Sequence, residues 1–239
     1  MRIKLFALCL LLTSTVSAYA EGVMKHDMSG HGDSIFHMFR LEADYGGGKD
    51  GAVASWDLDG WIGDDDNKLW LKSEGESKDG NLESAEFWAL YSRNIDTFWD
   101  FQAGIRQDTK PVSTTYAVLG FNGLAPYYFE TEAHVFISDR GDLTASIKEE
   151  NDLLITQKLI IQPYLEANFS AQDVPEQQIG AGIVDGQIGL QTRYELTRKF
   201  APYVDIHYGR KFGETSSIAT ANGEDNDELV GTIGLRLMF

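Results

Sequence analysis

Near its amino terminus the chain concentrates histidine and methionine, the two side chains that suit copper best when cysteine is absent. Between positions 24 and 38 it places Met24, His26, Met28, His31, His37 and Met38. Imidazole binds Cu(II) strongly and the thioether is a soft donor for Cu(I), so the residue types do not fix the oxidation state. Two alternatives stay open here: zinc or nickel on the imidazoles, and a solvated segment without any ligand role.

Two further pairs of a carboxylate and an imidazole lie deeper in the chain. Glu132 and His134 are two residues apart, as are Asp205 and His207, so each pair projects from one face of a β-strand. Opposed across an interior, the two pairs could hold a divalent ion. The alternative is ordinary interior polarity with ion pairing.

No motif in the sequence indicates an enzyme. Ser138 lies close to His134 and Asp139 along the chain, but the sequence contains no G-x-S-x-G or H-E-x-x-H motif. We therefore expect a protein without catalytic residues, and a hydrolase that uses Ser138 is the enzyme alternative.

The first twenty residues have the pattern of a signal peptide rather than of a folded element. Arg2 and Lys4 precede an apolar run, and Ala18-Tyr19-Ala20 is a typical cleavage site. We expect a signal peptide at 1–20, a His/Met-rich periplasmic leader at 21–34 and one β domain at 35–239. Because Cys9 lies in the signal peptide, the mature chain offers no disulfide or thiolate site.

The charge of the chain favours cations as partners. The sequence has 20 Lys and Arg against 37 Asp and Glu, and cleavage removes two of these cations, so the mature net charge is about −19. This excess argues against nucleic acid. Beyond the signal peptide no stretch approaches the roughly 20 apolar residues of a membrane helix, so a membrane-spanning structure would have to be a barrel.

From residue 35 onward, apolar and polar residues alternate with period two between short turns. We predict an all-β, antiparallel up-and-down transmembrane barrel of about 12 strands, with 10 or 14 as alternatives. The predicted strands are 35–45, 52–62, 67–74, 83–93, 98–108, 114–122, 126–138, 142–154, 158–170, 182–197, 201–213 and 228–239. The longer connections, 170–181 and 213–227, fall on one side, as in bacterial outer-membrane barrels.

The last strand carries the most specific architectural signal. Its apolar residues share one face and the chain ends on Phe239, which is similar to the terminal signature that outer-membrane proteins present to their assembly machinery. A soluble β-sandwich that ends on phenylalanine is the alternative. We expect one set of residues to face outer-membrane lipid or lipopolysaccharide: Trp56, Leu58, Ile62, Trp99, Phe101, Ile105, Val204, Ile206 and Tyr208. We expect an acidic lumen lined by Glu42, Asp44, Asp57, Asp59, Glu86, Asp100, Glu130, Glu132, His134, Glu166, Glu195, Asp205 and His207, with Lys72, Arg106, Lys148, Arg193 and Arg236 as counter-charges.

Three proline–tyrosine pairs fall near the starts of the seventh, ninth and eleventh predicted strands. They are Pro126-Tyr127, Pro163-Tyr164 and Pro202-Tyr203. Proline is tolerated at the first residue of a strand, and tyrosine suits the headgroup layer of a membrane. We therefore expect these tyrosines at one membrane interface, unless the pairs arise by chance.

Several longer segments together resemble one protein family. The segments are WDLDGWIG at 56–63, LWLKSEGE at 69–76, LYSRNIDTFWDFQAGIRQD at 90–108, AVLGFNGLAPYYFE at 117–130, FISDRGD at 136–142, DLLITQKLIIQPYLEANFSAQD at 152–173 and KFAPYVDIHYGRKFGET at 199–215. In this order they resemble the copper-resistance protein B family. The resemblance implies an outer-membrane, non-enzymatic copper-handling protein that works beside a periplasmic copper oxidase or small copper carriers. Other members often have a longer Met- and His-rich amino-terminal domain than this chain.

Taken together, the residues and the resemblance predict a copper-binding outer-membrane protein involved in copper resistance. The leader would capture copper in the periplasm, and the acidic lumen would hold copper or conduct it across the membrane. The alternative is a generic cation-preferring pore without copper specificity.

Overall fold

Antiparallel β-strands make up most of the computed structural model, which describes residues 35–49 and 51–239. The strands are β1 (Phe36–Gly48), β2 (Gly51–Gly63), β3 (Asn67–Lys78), β4 (Asn81–Asp96), β5 (Trp99–Lys110), β6 (Thr114–Ala125), β7 (Phe129–Ser138), β8 (Leu143–Glu150), β9 (Leu153–Leu154), β10 (Leu159–Ser170), β11 (Gly182–Tyr194), β12 (Phe200–Lys211) and β13 (Asp227–Met238). Each predicted strand corresponds to one of these, except that the eighth contains both β8 and β9.

The strands close into a barrel. Consecutive strands pair from β1 to β8 and from β10 to β13, β8 and β9 both pair with β10, and β13 pairs with β1 to complete the ring. Because β8 and β9 occupy one position in the wall, the barrel has twelve strand positions. The predicted all-β barrel is confirmed.

A proline causes the interruption between β8 and β9. The carbonyl oxygen of Pro163 in β10 accepts a hydrogen bond from the Asn151 N–H, at 3.2 Å. In an antiparallel pair the N–H and the carbonyl of one residue point to the same neighbour, so Pro163 would also have to donate on this side. Proline has no N–H to donate, and the ladder breaks there.

The two faces of the wall differ as the alternation predicts. On β12 and β13, Val204, Ile206, Ile233 and Leu235 are exposed on the outer face. Their sequence neighbours Asp205, Thr232 and Arg236 are buried in the interior, each with less than one tenth of its surface exposed. The outer face is therefore apolar and suited to lipid, and the lumen is polar.

Both ends of the barrel meet at one rim, which we call the terminal rim. The Phe39 N–H donates to the Phe239 carbonyl at 2.9 Å, the Phe239 N–H donates back to the Phe39 carbonyl at 3.0 Å, and the two rings stack with centroids 6.2 Å apart. The last strand thus closes on the first at this rim.

The opposite rim, which we call the long-loop rim, carries the larger connections. The loop between β10 and β11 contains a 3-10 turn at Pro175–Gln177, and the connection between β12 and β13 contains a helix, α1 (Gly213–Asn222). The helix ends at Gly223, whose φ of +79° suits glycine. No helix among the described residues has the length and apolar character to cross a membrane.

Candidate functional site

Some of the predicted leader ligands lie outside the described residues and others lie within them. Met24, His26, Met28 and His31 lie outside the described residues. His37 and Met38 lie at the start of β1, next to Phe39 at the terminal rim, and both are exposed. As neighbours in a strand they project from opposite faces of the wall, so they do not form one site by themselves.

The Glu132–His134 pair lies in β7 and is already engaged. Glu132 accepts a hydrogen bond from the Lys72 ammonium at 2.5 Å. His134 is 3% exposed, its Nε2 lies 2.8 Å from Gln102 Oε1, and the Trp88 ring packs against it edge-on at 5.2 Å. A metal ion at this pair would have to displace an ion pair and a buried hydrogen bond.

The Asp205–His207 pair lies in β12 and is arranged differently. His207 Nδ1 lies 2.7 Å from Asp205 Oδ2, which also accepts a hydrogen bond from the Tyr164 hydroxyl at 3.1 Å. Asp205 is 6% exposed, and its Oδ1 has no hydrogen-bond partner within the described residues. A carboxylate that fixes one imidazole nitrogen leaves the other free to bind a metal, and the His207 ring lines a lumen cavity.

The barrel does not bring the two pairs together. Glu132 and His134 line a cavity of about 340 Å³, whereas Asp205 and His207 line a second cavity of about 270 Å³. Within residues 35–49 and 51–239, no three His, Cys, Asp or Glu side chains converge closely enough to hold a metal ion. The described part of the lumen therefore offers single imidazoles rather than a multi-histidine centre.

A row of five carboxylates crosses the wall from β1 to β5, and the sequence did not reveal it. Cross-strand partners in the register are Glu42 with Asp57, Asp57 with Glu74, Glu74 with Glu86, and Glu86 with Asp108. Like charges directly opposite each other destabilise a sheet. Although alternation placed Glu42, Asp57 and Glu86 in the lumen, only the register aligns the five.

Arginines neutralise the two ends of this acidic row. Arg236 Nε contacts Glu42 at one end. At the other end Arg106 contacts Glu86 at 2.5 Å and Asp108 at 2.6 Å. The middle of the row, Asp57 and Glu74, has no such partner on its own strands, and Asp57 Oδ1 is buried without a hydrogen bond in the described structure. These two carboxylates are therefore the part of the row that no arginine ion pair neutralises within the described residues.

A polar layer fills the lumen near the terminal rim. Arg236 Nη2 donates to Gln162 Oε1 at 3.0 Å and to Gln191 Oε1 at 2.9 Å, while Gln191 donates to Glu42 at 2.9 Å. Arg193 donates to Gln162 at 3.0 Å. These bonds tie together β1, β10, β11 and β13.

The loop between β10 and β11 reaches into the opposite end of the lumen. Gln177 Nε2 donates to the Tyr116 hydroxyl at 2.6 Å, and Gln177 lines the 340 Å³ cavity. Tyr116 belongs to a cluster with Trp88 and Phe136, whose rings surround the Arg106 guanidinium at 5.0 to 5.3 Å. The loop therefore covers this cavity from the long-loop rim.

Comparison with known proteins gives two consistent results. The family model described as "Copper resistance protein B precursor (CopB)" matches residues 34–239. The copper resistance protein B of Escherichia coli is 41% identical over 186 residues, 77% of this chain, and a homolog from Pseudomonas syringae pv. tomato is 41% identical over 191 residues, 80% of this chain. The match spans 63% and 65% of the lengths of these relatives.

Solved structures with the same fold are outer-membrane porins. The NanC porin superposes with a TM-score of 0.57 at 13% identity, covering 83% of this chain and 98% of that one. The KdgM porin superposes with a TM-score of 0.54 at 12% identity, covering 84% and 99%. At this level of identity the likeness concerns the barrel fold alone.

Proposed function

Because the chain belongs to the copper resistance protein B family, we propose that it is a non-enzymatic outer-membrane barrel that binds copper and contributes to copper resistance. In this proposal the leader at 21–34, with His37 and Met38, captures copper on the periplasmic side. The acidic lumen then holds the ion or conducts it across the membrane. A periplasmic copper oxidase or small copper carriers would be the partners at the terminal rim.

The main support for the proposal is the position of His207 in a lumen lined by carboxylates. Asp205 fixes His207 Nδ1 at 2.7 Å, so Nε2 is the nitrogen available to a metal ion. Imidazole is a good ligand for Cu(II), and the surrounding carboxylates favour any cation that enters. Asp205 is then a positioning residue rather than a direct ligand.

His134 and Glu132 are weaker candidates for the same role. Copper at His134 Nε2 would cost the bond to Gln102, and copper at Glu132 would cost the ion pair with Lys72. A buried group that loses its partner is destabilised by several kcal/mol when it is charged. We therefore propose that lumen copper binds at His207 first.

A hydrolase function through Ser138 finds no support in the geometry. The Ser138 hydroxyl donates to Asp142 at 3.0 Å and accepts from the N–H groups of Arg140 and Asp142. These bonds shape the turn between β7 and β8, which explains the serine without a catalytic role.

Copper titration of the folded barrel tests the proposal. The full mature chain should bind more copper than the same chain lacking residues 21–34, and the shortened chain should keep a site that His207→Gln removes. His134→Gln is the matched control, because it changes the other lumen imidazole, and it should leave that site intact.

Conductance on the same preparations separates copper handling from the alternative. A generic cation-preferring pore would be favoured by two results together. The cation current would not distinguish copper from sodium or potassium, and no copper would bind at the leader or at His207. Bound copper without any current would identify a protein that sequesters the ion.

A further inference from the structure

The two lumen cavities meet at one small boundary. The 340 Å³ cavity reaches the long-loop rim at Pro111 and Gln177, and the 270 Å³ cavity extends to Gln162 and Arg236, in the halves of β10 and β13 nearest the terminal rim. The residues that line both cavities are Glu74, Ser84, Lys148 and Glu166. Because these four residues line both cavities, an ion in either cavity lies beside them.

Among the four described residues that line both cavities, Lys148 is the cation. It lies in β8 between two lumen carboxylates in the register, Glu132 on β7 and Glu166 on β10. Glu74 belongs to β3 on the facing wall, in the middle of the acidic row. The ammonium of Lys148 therefore lies among carboxylates from both walls.

The contacts of Lys148 differ from those of the neighbouring lumen lysine. Lys72 is held by Glu132 at 2.5 Å and by Asp59 at 3.8 Å, and only 4% of its side chain is exposed. Lys148 forms no direct ion pair within the described part of the chain, and it borders both cavities. Lys72 is thus fixed in a structural pair, whereas Lys148 is a charge presented to the passage.

We propose that Lys148 is the residue that limits cation passage and sets ion selectivity at the boundary between the two cavities. Its ammonium occupies the position where the acidic row would otherwise concentrate a mobile cation, and it repels cations that enter from either side. This inference rests on the proposed cation-conducting lumen, but not on copper as the ion. A fixed charge on the wall of a lumen controls which ions pass beside it, because the low-dielectric walls focus the field.

Planar-bilayer recordings in potassium chloride test the proposal. Lys148→Met keeps the length of the side chain and removes its charge. We expect cation conductance to rise about three- to tenfold, because a unit charge roughly 10 Å from the permeating ion acts across an effective dielectric between those of protein and water. The preference for potassium over chloride should rise as well. Lys148→Arg should behave as the unmodified barrel, and Lys72→Met, the matched control, should not raise conductance.

A cysteine variant gives a second measurement that does not depend on Lys148→Met folding well. The only cysteine of the chain, Cys9, lies in the predicted signal peptide, so Lys148→Cys supplies the one thiol of the mature barrel. After assembly, a reagent that attaches an aminoethyl group should restore low conductance, and one that attaches a sulfonatoethyl group should increase it further.

Equal conductance and equal ion preference for Lys148→Met and the unmodified barrel would overturn the proposal, as would equal effects of the two thiol reagents. These results would leave copper binding by the leader and by His207 standing. Conversely, loss of copper binding with an intact Lys148 effect would contradict the proposed function alone.

Discussion

Replacing Asp205 by Asn tests whether the carboxylate positions His207 for copper. The bond between His207 Nδ1 and Asp205 Oδ2 is 2.7 Å long and has a charged acceptor. Hydrogen bonds to charged groups contribute about 1.5–3 kcal/mol and neutral ones about 0.5–1.5 kcal/mol, so the substitution removes roughly 1–1.5 kcal/mol. Since each 1.4 kcal/mol is a factor of ten, copper should bind about tenfold more weakly. This agrees with the effect of about 10- to 100-fold that second-shell partners of metal-bound imidazoles have.

The assay is a competitive copper titration against a chelator, with the barrel lacking residues 21–34 so that the leader does not contribute. Tyr164 donates to the same carboxylate oxygen and can hold the asparagine in place, which limits structural disturbance. Glu132→Gln is the control, because it neutralises the corresponding carboxylate beside His134. The positioning role would be refuted if Asp205→Asn and the unmodified barrel bound copper with affinities within about twofold of each other.

Three further predictions concern the fold. Arg236→Met removes the ion pair of the half-buried Glu42 carboxylate, which keeps only the hydrogen bond from Gln191, and it should lower the free energy of unfolding in urea by about 1–3 kcal/mol. Adding Glu42→Gln should recover much of the loss. A change below about 0.5 kcal/mol would contradict the stabilising role of the polar layer. Pro163→Val restores an N–H and should join β8 to β9, seen as slower amide exchange in this segment, while unchanged exchange would show that proline is not the cause of the break. Two backbone N–H groups donate to Asp64 in the turn between β2 and β3 and hold the pKa of its carboxyl below the ordinary value. The ionised Asp64 carboxylate should therefore stabilise the turn fully above the ordinary aspartate pKa, and this stabilisation should disappear as the pH falls through the lowered pKa of the folded state. An NMR titration that gives Asp64 a pKa at or above the ordinary aspartate value would contradict this prediction.

Much of the barrel could be predicted from alternation, because the two faces of each strand meet different solvents. Val204, Ile206 and Ile233 face outward as expected, and Phe239 closes on Phe39. Alternation is a local property, so it is read directly from the sequence. It also assigned Asp205 and His207 to one face of one strand, and the structure agrees.

The remaining features depend on register and on tertiary contacts. Tyr164 and Tyr203 were expected in the headgroup layer, but both point into the lumen, where they donate to Asp205 and Asp44. The expectation was wrong because a polar interior satisfies a tyrosine hydroxyl as well as a membrane interface does. Helix α1 was missed because its 10 residues have no apolar periodicity.

The difference between the two candidate carboxylate–imidazole pairs also depends on tertiary contacts. Glu132–His134 and Asp205–His207 have identical spacing along the chain, and nothing local distinguishes the two pairs. Gln102, which lies 32 positions from His134, engages one imidazole, and Asp205 orients the other toward a cavity. The difference follows from which strands become neighbours across the lumen.

Electron paramagnetic resonance of Cu(II) on the folded barrel lacking residues 21–34 shows whether His207 binds copper in the lumen. We expect protein-bound copper with the nitrogen hyperfine coupling of an imidazole, lost in His207→Gln and retained in His134→Gln. A spectrum that His207→Gln leaves unchanged, or a barrel that binds no copper without its leader, would contradict this expectation.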